Sequence, residues 1–289
     1  MYPLLDRMDQ DLQIKGYSLS TRKVYLACLK AFGQHFPGRP PDRLTLEDVR
    51  RYQLHLTRVR GVSWCYFNQA VAALRFFFGV TLNKGWDIQR IRYQKREQRL
   101  PEILSQEEVV AILGATSSLR DRAILMTLYG GGLRLSEVRH LCIGDIDSKR
   151  MVIRVVQGKG SKDRYVRLPD SLLLELRAYW KVHRPGGPLL FPGKDADGTL
   201  SGSTIQHIVK KAARKAGITK RITPHSFRHA YATHHLEQGT NLREIQLLLG
   251  HRSLNSTAVY THVARSTVAA ASSPLDGLAL QKGQVPKHP

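Results

Sequence analysis

Residues 90–104 read RIRYQKREQRLPEIL, and no other stretch constrains the fold as much. Five basic side chains, two acidic ones and Pro101 leave too few apolar positions for this segment to join a core. It predicts two domains, 1–89 and 102–265, joined by a basic linker at 90–101 that can lie along phosphates. A chain of 289 residues is long enough to give each domain its own core.

Before the linker the apolar residues recur at helical spacing. Leu5, Met8, Leu12 and Ile14 begin one helix. Ser18 and Ser20 offer caps for a second, through Val24, Tyr25, Leu29 and Phe32. Pro37–Pro41 interrupts the pattern. Thr45, with Glu47 and Asp48 in a first turn, opens a third through Leu46, Val49, Tyr52, Leu54 and Leu56. The fourth runs from about Ser63 to Val80 through Phe67, Val71, Leu74 and Phe78. The expectation is a bundle of four short helices.

After the linker, Ser105 and Glu108 form the pattern of a capping box. LRDRAILMTLYGGGLRLSEVRHL reads as helix, glycine turn at 130–132, and helix. Met151–Val156 and Arg164–Leu168 are β-rich, with GKGSK as the turn between them. Pro169 ends the second strand, and Leu172–Trp180 is helical. Further helices are expected at 203–216, 226–238, 242–249 and about 253–262. The tail, 266–289, is irregular except for a short helical candidate at Leu275–Leu280. The fold class is thus mainly α: an N-terminal helical bundle, then a mostly helical domain with a small antiparallel β-sheet.

The charge balance narrows the partner. Lys and Arg number 45 against 23 Asp and Glu, a net charge of +22. Residues 1–100 hold 18 basic and 8 acidic side chains, the remainder 27 and 15, so neither half is a basic tail on a neutral protein. Charge spread in this way suits a protein that surrounds double-stranded DNA. In the first domain Arg50, Arg51, Arg58, Arg60, Arg90 and Arg92 are the candidate phosphate or groove contacts. The three cysteines, Cys28, Cys65 and Cys142, form no CxxC pair, which argues against a zinc finger or a disulfide framework. The N-terminus lacks the apolar core of a signal peptide, and no apolar run is long enough to span a bilayer. The expected location is the cytoplasm.

Five local features stand out in the second domain: GGLRLSEV (131–138), GKGSKDRYVRL (158–168), HSFRHAYATH (225–234), LLGHRS (248–253) and STAVYTHV (256–263). Singly, each has a plain structural explanation. Together they fit one task. Metal-free cleavage of a phosphodiester needs a nucleophile, positive donors around the phosphorane, and an acid for the leaving 5′-oxygen. Arg134 and Arg228 each present a planar fork suited to nonbridging oxygens. His225 lies three residues before Arg228, on the same helical face. Gly250 ends a helix and brings in His251, and Tyr260 follows. His225, His229, His234 and His235 also raise the possibility of zinc. No acidic ligand stands among them, however, and Arg228 would repel a cation, so no metal is expected.

The order and spacing of these motifs closely resemble the tyrosine recombinase (phage integrase) family, in particular its Xer-like branch. The match is strong over about 101–263. The resemblance implies that Tyr260 attacks the scissile phosphate to form a 3′-phosphotyrosine. It implies that Arg134 and Arg228 clamp the phosphate, and that Lys159 protonates the leaving oxygen. His225 then assists proton transfer at Tyr260, His251 donates to the phosphate, and Glu137 orients the site. No cofactor is needed, because the phosphotyrosine ester retains the energy for rejoining. The family works as a homotetramer on two DNA sites, sometimes with a related recombinase or accessory protein. Its protomers often exchange a C-terminal helix, for which Leu275–Leu280 is the weak candidate here. Xer-like resolution and integration or excision of a mobile element both remain open. The rival readings are type IB topoisomerase-like relaxation and a catalytically silent DNA-binding protein. The latter would have no reason to keep both Lys159 and Tyr260.

Overall fold

In the computed structural model the described residues are 2–95, 102–156, 163–251, 253 and 257. The chain divides into two compact units, Met1–Arg99 and Leu100–Pro289.

The first unit contains α1 (Tyr2–Ile14), α2 (Leu19–His35), α3 (Leu46–Arg58) and α4 (Trp64–Phe76), the last extended by a π-helical turn at Phe77–Thr81. Each of the last three starts at a polar cap. Ser18 accepts from the Thr21 N–H and Ser63 from the Tyr66 N–H, while Thr45 and Asp48 cap each other reciprocally. Two hydrogen bonds from Arg39, then the Thr45 N–H, hold the Asp48 carboxyl down at about 2. Met8, Leu12, Leu29, Phe32, Val49, Tyr52, Leu56, Val71, Leu74, Phe77 and Phe78 form the core. Two expected members do not join it: Ile14 is 84% exposed and Leu54 39%. Each lies two residues from a buried neighbour, and two steps of a helix turn a side chain to the far face.

The segment taken for the start of a linker belongs to this unit. Ile88–Arg90 makes a 3₁₀ turn and Ile91 is buried in the same core. Arg75 Nε donates to the Ile91 carbonyl (2.7 Å) and Gln53 Nε2 to that of Arg92 (2.9 Å). Trp64 Nε1 and Asn68 Nδ2 both donate to that of Gln94 (2.8 and 3.2 Å). These side chains satisfy the backbone of a segment that has no ladder of its own. The unit therefore extends beyond the expected boundary at 89, and residues 96–101 lie outside the described residues.

The second unit contains α5 (Gln106–Gly114), α6 (Leu119–Gly130), α7 (Leu135–Arg139), β1 (Ile146–Asp147), β2 (Val152–Val155), β3 (Arg164–Arg167), α8 (Asp170–His183), α9 (Gly202–Lys215), α10 (Pro224–Glu237) and α11 (Leu242–Leu249). The expected capping box of Ser105 and Glu108 starts α5. The sheet is antiparallel in the order β1-β2-β3, with Val152 opposite Arg167 and Ile146 opposite Ile153. β1 was not expected; two residues are too few to show an alternating pattern. The GKGSK turn, most of the expected 253–262 helix and the tail lie outside the described residues. Ile124, Leu128, Ile153, Val166, Leu172, Phe191, Ile205, Val209 and Phe227 tie sheet and helices into one core.

Candidate active site

The site begins at the glycine turn after α6. Gly132 adopts φ +58°, and a Cβ there would meet the Tyr231 ring at 2.6 Å, so only glycine lets this turn pass beneath α10. The turn sends Arg134 to the N-cap of α7. There its backbone N–H donates to Glu137 Oε2 (2.7 Å) and its Nη1 to Glu137 Oε1 (2.6 Å). Helix α10 starts at a cap made by Thr223 and Ser226, and one face of it carries His225, Arg228 and His229.

The arginines converge on two acceptors, the Glu137 carboxylate and the C-terminal end of α11. Arg164 Nη1 and Nη2 both donate to Glu137 at 2.8 Å, and Arg228 Nη1 lies 3.9 Å from it. At the end of α11, Arg164 Nε donates to the Leu248 carbonyl (2.7 Å), Arg228 Nη2 to that of Leu249 (2.6 Å), and Arg134 Nη2 to that of Gly250 (3.2 Å). Arg228 Nη1 takes the Gly132 carbonyl (2.6 Å). Gly250, at φ +62°, closes this helix and turns the chain toward His251. A helix C-terminus carries partial negative charge and unpaired carbonyls, so three guanidiniums there satisfy both needs.

Burial alone would raise the Glu137 carboxyl. The hydrogen bonds and charge of Arg164, aided by Arg134, outweigh it and bring the group to about 2. Desolvation, then Arg228 and Arg134, keep His225 below the ordinary imidazole value. The same causes in the same order, with further help from His225 and Arg164, bring His251 down to about 4. Both imidazoles are therefore neutral at neutral pH, each able to offer one donor and one acceptor. The Arg134 side chain is 35% exposed and His225 is at the surface, whereas Arg228 is completely enclosed. The structure brings together Arg134, Glu137, His225, Arg228 and His251. Lys159 and Tyr260 lie outside the described residues.

Sequence reasoning missed Arg164, which a strand pattern could have found. In RYVR, positions 164 and 166 face inward and 165 and 167 outward, so an arginine stands in phase with the core. A charge at such a position calls for a buried partner.

The four histidines of α10 serve separate neighbours. His225 and His229 pack edge to face at 4.3 Å, His234 Nδ1 lies 2.8 Å from the Tyr129 hydroxyl, and His235 Nδ1 lies 3.3 Å from that of Thr240. Among the described residues, no three His, Cys, Asp or Glu side chains group to hold a metal ion. No described helix is long and apolar enough to cross a membrane.

In the first unit, Arg50, Arg51, Arg58, Arg60, Arg90 and Arg92 are all exposed. Arg50, Arg90 and Arg92 line one groove of about 540 Å³ between α3 and the 88–92 segment, with Gln53 and Glu47. Arg60 stacks over the Tyr66 ring at 5.7 Å.

Residues 102–267 match the phage integrase family, and residues 4–88 match the phage integrase N-terminal SAM-like domain. A Sinorhizobium fredii protein that carries the name integrase/recombinase is 46% identical over 96% of this chain and 89% of its own length. Tyrosine recombinase XerA of Pyrococcus furiosus is 37% identical over 90% of this chain and 89% of its own. Among solved structures, XerA recombinase superposes with a TM-score of 0.55 at 30% identity, covering 93% of this chain and 96% of the other. A lambda integrase dimer bound to a core site shares the fold, with a TM-score of 0.72 at 19% identity over 89% of this chain and 96% of the other. With a family match over more than half its length and relatives that span nearly all of it, the chain belongs to the phage integrase family as an Xer-like, tyrosine-type site-specific recombinase.

Proposed function

We propose that the chain cleaves and rejoins DNA at specific sites through a 3′-phosphotyrosine intermediate. One observation carries this reading: Arg134, His225 and His251 gather over the enclosed Arg228, held by Glu137 and the end of α11. Such an array of fixed donors suits a pentacoordinate phosphorane, because the donors need no reorganisation as charge develops.

In this mechanism the Tyr260 oxygen attacks the scissile phosphorus and the bond to the 5′-oxygen breaks. Lys159 gives the leaving oxygen its proton, and His225 takes the proton of the tyrosine hydroxyl. Arg134 and Arg228 clamp the nonbridging oxygens. Arg228 does so once a phosphate oxygen displaces one of its carbonyl partners, Gly132 or Leu249. His251 donates to the same phosphate. Attack of a 5′-hydroxyl on the phosphotyrosine reverses the steps and rejoins a strand.

Double-stranded DNA is the partner, and each of the two units brings net positive charge to its phosphates. The groove of Arg50, Arg90 and Arg92 takes backbone phosphate and so fixes register. The working assembly is a homotetramer on two sites; lambda integrase, which shares the fold, forms a tetramer on a Holliday junction. The deciding experiment traps covalent complexes on nicked suicide DNA, comparing wild type with Tyr260→Phe. An adduct seen only with wild type supports the mechanism. Tight binding with no adduct on any substrate would leave a silent DNA-binding protein.

A further inference from the structure

His251 is held at two places. Its backbone N–H donates to the Gln246 carbonyl (3.1 Å), and its own carbonyl accepts from Gln246 Nε2 (2.9 Å). Gln246 is buried, and its Oε1 accepts from Arg243 Nη1 (2.6 Å). The ring is held separately: Nδ1 lies 2.9 Å from Oγ1 of Thr257, a completely buried side chain. Thr257 stands three positions before Tyr260, so the hydroxyl that grips the imidazole comes from the segment that carries the proposed nucleophile.

We propose that Thr257 is a positioning residue whose hydroxyl donates to His251 Nδ1 and thereby fixes the proton on Nε2, the tautomer able to donate to a phosphate oxygen. The inference rests on the catalytic reading above. A neutral imidazole carries one N–H, and the bond made by one nitrogen decides the state of the other. Burial first, then Arg228, Arg134, His225 and Arg164, favour the neutral form of this ring. The opposite tautomer would turn a lone pair on Nε2 toward an anionic phosphate, and the two would repel.

Two measurements on the full chain test this. Long-range proton–nitrogen NMR with ¹⁵N-labelled histidine reads the His251 tautomer at neutral pH, assigned with His251→Gln. A proton on Nε2 is expected, and a proton on Nδ1 would overturn the proposal. In the second, wild type, Thr257→Ser and Thr257→Val are compared for their rate of covalent capture on suicide DNA. Serine keeps the hydroxyl and should stay within about threefold of wild type, whereas valine should slow capture by roughly 10–100-fold. Measured well below the melting temperature of each variant, DNA affinity should change little in either, which a purely structural role would not predict. Equal rates for valine and wild type, or an equal loss in serine and valine, would sink the idea. If the valine variant fails to fold, the tautomer of the wild-type ring decides alone. Failure of wild type to capture DNA would instead defeat the recombinase mechanism and leave the tautomer measurement standing.

Discussion

The two units use arginine in opposite ways. In the first, Arg50, Arg51, Arg58, Arg60, Arg90 and Arg92 are exposed, and only Arg50 has a described acidic neighbour, Glu47 at 3.5 Å. In the second, Arg164 and Arg228 are buried and Arg134 is mostly so, sharing one carboxylate and three carbonyls of one helix end. Exposed charges attract a polyanion at long range and are screened by salt. Buried charges are screened little, so they can hold one geometry, provided every donor is matched. The contrast teaches that +22 is not a single property. Part of it is exposed charge, available to the proposed DNA contacts, and part is the frame of the site.

The sharpest way to break the comparison is to remove the shared acceptor. Glu137→Ala strands Arg164 beside Arg134 and should cost about 3–5 kcal/mol of stability, read by denaturant unfolding. A loss below about 1 kcal/mol would mean the buried network is not the frame it is taken for. Gly132→Ala should come next, at about 2–4 kcal/mol, because it forces φ +58° on alanine and drives a methyl into Tyr231.

Acid should separate the contributors of the second unit. His229, lowered by burial and then by His225 and Arg228, and His251, lowered by burial and then by Arg228, both stand at about 4 against an ordinary imidazole value of 6.5. A depressed pKa means the unfolded chain binds the proton first. The stability from neutral imidazoles is therefore complete above 6.5 and lost as pH falls toward 4. Glu137, at about 2 against 4.5, withdraws its share as pH falls from 4.5 toward 2. Melting temperature should thus decline in two stages, and Glu137→Gln should shrink the lower one, which Asp48 and Glu108 share.

The first unit should respond through binding rather than stability. Arg50→Ala, Arg90→Ala and Arg92→Ala should each shift stability by less than about 0.5 kcal/mol, yet each should lower the slope of log affinity against log salt by about 1. An unchanged slope in the triple variant would remove this groove from the DNA surface. The smallest effect belongs to Ile14→Ser, which should be near neutral because that side chain is 84% exposed at the end of α1.

What the sequence determined by itself was local. Helix starts were legible because Ser18, Thr45, Ser63 and Ser105 carry a hydrogen-bond acceptor at the place where a helix leaves donors unpaired. The spacing of His225 and Arg228 on one helical face followed from 3.6 residues per turn. The candidate residues were legible because their chemistry is uncommon in combination. Two residues of β1, the attachment of 88–94 to the bundle, and the facing of Leu54 were not, since each depends on a partner distant in the chain. The frame of the site was the least legible part. Arg134 meets Gly250 across 116 positions, Arg228 meets Gly132 across 96, and Arg164 meets Leu248 across 84. An arginine in a sequence reads as exposed by default, since burying its charge is costly without a matched acceptor. Only the tertiary structure, by placing the end of α11 and the Glu137 carboxylate against the same three guanidiniums, decided which arginines stay inside.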